Sequence, residues 1–88
     1  MDEEFADAEL VLREALRLAS HLNERRYMSL DKRQLANIYW RTGRTSLARQ
    51  TAKEALDLFE TLGMTGRAEA TRRILQEMQE TSHCSENC

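Results

Sequence analysis

Three side chains able to ligate a metal stand within six residues near the end of the chain: His83, Cys84 and Cys88, in the order HCxxxC. A closed zinc site takes four ligands held by anchored backbone. The other histidine, His21, lies in a distant helical segment with nothing in the sequence to bring it near. The cluster is therefore expected to be tail thiols, and neither a metal nor another cofactor is expected. There is no Ser-His-Asp spacing and no glycine-rich phosphate loop. The carboxylates mostly stand four residues from a cation, as Glu9 does from Arg13 and Glu69 from Arg73, which is the spacing of ion pairs on a helix surface. No enzyme is expected.

What the residue types offer instead is recognition. Trp40, the single tryptophan, follows Tyr39 and is flanked by Arg41 and Arg44. Adjacent residues cannot share one helix face, so a buried Tyr39 leaves Trp40 half exposed, and a tryptophan among arginines suits a binding hot spot. Residues 24 to 53 carry eight Lys or Arg against Glu24 and Asp31, a local excess of +6, so the rest must sum to −8 to give the total of −2. A basic middle between acidic ends can steer an acidic partner. The negative total and the absence of a base-reading motif argue against nucleic acid.

These side chains must be positioned by helices. The chain has 88 residues, no proline and three glycines, and is rich in Ala, Leu, Glu and Arg, which argues an all-α domain. Apolar residues recur at three- and four-residue steps, predicting helices over about 4–22, 25–42, 45–62 and 66–79. Their stripes are Phe5, Ala8, Leu12, Ala15, Leu16, Ala19 and Leu22; Tyr27, Met28, Leu30, Leu35, Ile38 and Tyr39; Ala48, Ala52, Ala55, Leu56 and Phe59; and Ala68, Thr71, Ile74, Leu75 and Met78. Asn23 and Gly43 suit left-handed helix stops, with Thr45 or Ser46 and then Thr65 as candidate N-caps. Short connections make consecutive helices antiparallel. One domain is expected over 1–80, with 81–88 as a disordered tail. The acidic start MDEEFADAE lacks an apolar run, and no stretch spans a bilayer, so a cytoplasmic protein without membrane contact is expected. Two cysteines near the end agree with a reducing compartment.

The chain repeats itself. A shift of forty residues places Ala8 on Ala48, Glu14 on Glu54, Ala15 on Ala55, Leu16 on Leu56, Leu18 on Leu58 and Leu35 on Leu75, so REALRL returns as KEALDL. A period of this size implies stacked helical hairpins. Leu35, Ala36, Tyr39, Gly43, Ala48 and Ala55, at intervals of one, three, four, five and seven, resemble the large, small, aromatic, Gly, Ala, Ala pattern of the tetratricopeptide repeat. The resemblance covers Ser29 to Leu62 as one full repeat, with half repeats on either side, in an extended variant with a period of roughly forty residues. Ala52 and Lys32 depart from the pattern, standing where the family usually has a bulky aromatic and often a tryptophan.

The resemblance implies a tetratricopeptide-like α-solenoid of antiparallel helical hairpins, here with four helices. It also implies a protein-protein interaction module, an adaptor or scaffold, whose concave groove takes a peptide or helix of a partner. Carried over by position, that groove is lined by Leu30, Arg33, Asn37, Trp40, Arg41, Arg73 and Glu77. Arg33 followed by Asn37 is similar to part of the clamp with which some members grip a carboxylate, for which guanidinium and amide donors are suited. Two alternatives stand beside this reading. One is self-assembly as a homodimer through helix one, where Phe5, Leu10, Val11 and Leu18 broaden the apolar surface while the polar fourth helix serves as a cap. The other is a peptide-sensing segment of a larger transcriptional or signalling protein.

Overall fold

The structure, a computed structural model, describes the backbone of residues 3–87 and the side chains of residues 4–79. It is all-α. Four helices, α1 (Glu3–His21), α2 (Arg25–Arg41), α3 (Thr45–Thr61) and α4 (Thr65–Asn87), follow one another through three-residue connections. Each packs against the next, α1 on α2, α2 on α3 and α3 on α4, and connections this short turn each helix antiparallel to the one before. The backbone forms a slab of 44 × 32 × 16 Å. The thin dimension accommodates two helix layers at the usual 8–10 Å separation. α4 continues to Asn87, eight residues beyond the end at Gln79 that its apolar pattern predicts. The side chains of His83, Cys84 and Cys88 lie outside the described residues.

The three connections are copies of one device. Asn23, Gly43 and Gly63 all have positive φ, at 59°, 84° and 73°, and are spaced twenty apart, half of the forty-residue hairpin period. In each, the left-handed residue donates to a carbonyl three back and the next residue to a carbonyl five back. Glu24 N–H bonds Ala19 O at 2.8 Å, Arg44 bonds Tyr39 at 2.8 Å, and Met64 bonds Phe59 at 2.8 Å. This double closure satisfies the last carbonyls of the helix. The residue that closes one helix then opens the next, as Met28 N–H bonds Glu24 O, Ala48 bonds Arg44 and Ala68 bonds Met64. The N-cap positions of α2 and α3 thus fall to Glu24 and Arg44, neither of which caps through its side chain. Thr45, Ser46 and Thr65 lie inside their helices instead, because the tight closure leaves no residue between stop and start.

Small residues set the helix spacing. Ala48 and Ala55 are 0% exposed and Ala52 2%, which lets α2 bring Leu35, Ala36 and Tyr39 against α3 in a cluster that Leu75 and Met78 of α4 complete. A second cluster gathers Ala55, Phe59 and Ala68, with Leu30, Leu56 and Met64 packed on it. Three hydroxyls are buried with them. Ser29 donates to Arg26 O at 2.7 Å, Thr51 to Leu47 O at 2.7 Å and Thr71 to Arg67 O at 2.8 Å. Each is satisfied within its own helix and serves as a small core residue.

α1 is tied to the body by charge as well as packing. Both oxygens of Glu9 accept from Arg44, at 2.6 and 3.1 Å, while the Arg44 guanidinium lies 4.7 Å from the Tyr39 ring centre. The hydrogen bond from Arg44 holds the Glu9 carboxyl below its ordinary range and raises Arg44 in return. A depressed carboxylate stabilises the fold above its unfolded pKa and loses that contribution as pH falls through its folded pKa. Glu9→Gln is therefore expected to lower the urea midpoint at neutral pH. The gap to the wild type should shrink through the acid range and close once Glu9 is protonated. A gap independent of pH would refute the ionic tie.

Candidate protein-binding groove

α2 and α4, each antiparallel to α3, run parallel to one another and leave a groove between them. Its upper part, about 180 Å³, is lined by Arg33, Gln34, Ala36 and Asn37 of α2, by Ala52 at its floor, and by Thr71, Ile74 and Met78 of α4. It passes into a second hollow of about 240 Å³ formed by Asn37, Trp40, Ile74, Glu77 and Met78. Asn37, Ile74 and Met78 belong to both. Arg33, Asn37 and Trp40 lie on successive turns of α2, a run of about 10 Å at 1.5 Å per residue.

Chemically the groove has an apolar floor and polar walls. Tyr39 is 7% exposed and Trp40 is half-buried, packed on the first core cluster, so the pair divides between core and surface as adjacent helix residues must. Arg33 Nε is buried and has no hydrogen-bond partner among the described residues. An N–H removed from water and left unbonded is costly, of the order of 1–3 kcal/mol, and an acceptor arriving in the groove would remove that cost. Four residues on, the Asn37 amide is exposed on the same wall. Glu77 stands at the opposite end, so the groove is cationic at one end and anionic at the other.

Of the seven residues expected to line a groove, the structure brings Arg33, Asn37, Trp40 and Glu77 together. Leu30 belongs to the second core cluster. Arg41 turns towards α1, with its guanidinium 6.0 Å from the centre of the Phe5 ring. Arg73 is exposed on α4 and lines neither part of the groove. Ile74, Met78 and Thr71 are the lining residues that the sequence reading assigned to core instead. They are both, since the inner side of α4 floors the groove.

The other expected surface is on α1. Leu10, Val11 and Leu18 are 66, 68 and 48% exposed, whereas Phe5 is partly covered, under Arg41. Leu22 and Tyr27, placed on buried stripes by their spacing, are instead 67 and 61% exposed, and among the described residues no further helix packs on the outer side of the α1–α2 hairpin. They share a second concavity, about 380 Å³, with Ala15, Leu18, Ala19, Glu24 and Asp31. Burial raises the Asp31 carboxyl above its ordinary range.

Among the described residues no cluster of His, Cys, Asp and Glu is arranged to hold a metal ion, and no helix is long and apolar enough to cross a membrane. No family model, curated protein or solved structure matches the chain.

Proposed function

We propose that this chain is a protein-interaction module that receives a segment of another protein in the groove between α2 and α4. The observation that carries the reading is the convergence of a buried, unbonded Arg33 Nε, the exposed amide of Asn37 and the half-buried ring of Trp40 on one apolar-floored channel. A guanidinium and an amide one turn apart suit a carboxylate, and the ring supplies contact area of the kind that anchors interfaces. The resemblance of residues 29 to 62 to a tetratricopeptide repeat supports the same role.

Peptides selected from a displayed random library on the immobilised chain test this. The selected peptides are expected to be acidic or to rely on their terminal carboxylate, and to shift the emission of Trp40. The double substitution Arg33→Ala with Asn37→Ala should weaken them about tenfold while changing stability by less than about 1 kcal/mol. Equal binding to the double variant would overturn the assignment of the groove.

Self-association is the second reading, favoured by the exposure of Leu10 and Val11 on the outer face of α1. An isologous pairing there would hide both rows at once. It would appear as a concentration-dependent mass in light scattering.

A further inference from the structure

The concavity on the outer side of α1 and α2 has a filled counterpart inside the same molecule. The forty-residue shift carries α1 onto α3 and α2 onto α4, and the two connections concerned, at Asn23 and Gly63, close with the same hydrogen bonds. It carries Ala15, Leu18 and Ala19 of the concavity onto Ala55, Leu58 and Phe59, and Asp31 onto Thr71. On the α3–α4 hairpin that surface is covered by α2. Leu30 packs against the cluster of Ala55, Phe59 and Ala68, and Arg33 lines the same hollow as Thr71. On the α1–α2 hairpin the equivalent surface is open: Leu18 is 48% exposed where Leu58 is half-buried, and Ala15 is half-buried where Ala55 is fully buried.

The internal template also sets the charge of what belongs there. A helix seated on α1–α2 as α2 is seated on α3–α4 would bring the residue matching Arg33 beside Asp31. Asp31 makes no hydrogen bond or ion pair among the described residues, and its neighbour Lys32 is engaged across the fold with Glu54 at 2.8 Å. Glu24 adds a second carboxylate to the rim.

We infer that the α1–α2 edge is a docking site for a basic amphipathic helix of a partner protein, with an apolar anchor over Ala15 and Ala19 and, three residues later, an arginine paired with Asp31. A head-to-tail second copy is the poorer match, because the same shift places Arg73 on Arg33 but Ala70 on Leu30, so the outer side of α4 offers the arginine without the leucine anchor. This site is separate from the α2–α4 groove, so either can fail alone.

The probe is a fluorescent synthetic peptide with the sequence of residues 24–42 of this chain, which carries the Leu-x-x-Arg spacing of the template. Anisotropy should show saturable binding to the full chain. Asp31→Lys should weaken it about tenfold or more, and a peptide carrying Arg33→Glu should regain binding to that variant. Leu18→Glu should also abolish binding, with helicity by circular dichroism unchanged, whereas Arg33→Ala with Asn37→Ala in the chain should leave it intact. Three outcomes overturn the inference. They are no binding at about 100 µM peptide, a range where useful docking is still detectable; binding indifferent to both edge substitutions, as when the peptide displaces α2; and a homodimer whose mass is lost with Leu18→Glu and which the peptide does not dissociate.

Discussion

Phe59→Ala should cost the fold about 3–5 kcal/mol, the largest loss expected of a single truncation in this core. The ring is 0% exposed and forms the centre of the second core cluster, where α2, α3 and α4 meet through Leu30, Ala55 and Ala68. Truncating a fully buried phenylalanine costs about 3–5 kcal/mol, the transfer free energy of the ring plus the cavity left behind. A chain of this length has roughly 4–13 kcal/mol in total at ordinary values per residue. The variant is therefore expected to lose from about a quarter to nearly all of its stability, and to be partly unfolded if the wild type lies at the low end. Phe5→Ala is the control. It removes the same ring from a half-buried site under Arg41, so its cost should be well below that of Phe59→Ala. Comparable urea midpoints for the two variants would mean that the cluster around Phe59 is not the packed centre described.

Ala48→Leu is expected to be nearly as damaging for the opposite reason. Ala48 is also 0% exposed and lies where α3 approaches α2, in one cluster with Leu35, Ala36, Tyr39 and Ala52. A leucine adds volume where no space exists, and overpacking of this kind costs about 1–3 kcal/mol. For a domain of this size that lowers the melting temperature by roughly 5–20 °C. The substitution leaves helix propensity almost unchanged, so the loss would report interhelix distance alone. It should also disturb the groove, because α2 would be pushed off α3 and carry Arg33 and Asn37 with it. An unchanged melting temperature would show that α2 and α3 are not in close contact at this point.

The sequence made the helices legible because their stops are chemical and local. Asn23 and Gly43 were readable as left-handed positions, and the helices begin and end within one residue of the expected bounds except at the far end of α4. There the apolar pattern finishes at Met78 while the backbone helix goes on to Asn87, since a helix can outlast the stripe that packs it. The caps were not legible. Thr45, Ser46 and Thr65 have the right chemistry, but hydrogen bonds such as Arg44 N–H to Tyr39 O give the opening position to whichever residue follows the left-handed one. Ser29 and Thr51 were missed as core because a hydroxyl reads as polar, although bonding to its own helix makes it fit for burial.

The candidate site was legible in part. Arg33, Asn37 and Trp40 repeat along one side of α2, and that periodicity places them together whatever the neighbours are. Leu30 and Arg41 share their helix but not their fate. Leu30 is drawn into the α3–α4 core and Arg41 to the ring of Phe5, contacts made with distant segments that spacing within α2 does not encode. Leu22 and Tyr27 illustrate the converse. Their spacing marks them for burial, and the fold supplies nothing to bury them. That mismatch is the clearest pointer to a second surface.

The central claim is that a partner segment lies between α2 and α4. The most direct measurement is an amide and indole chemical-shift map of the labelled chain titrated with one selected peptide. The account predicts that the shifts cluster on Arg33, Asn37, Trp40, Ile74 and Glu77, with the Trp40 indole N–H among the largest. Shifts confined to Leu10, Val11, Leu18, Leu22 and Tyr27, with the α2–α4 groove silent, would contradict it and move the primary binding site to the outer edge of α1.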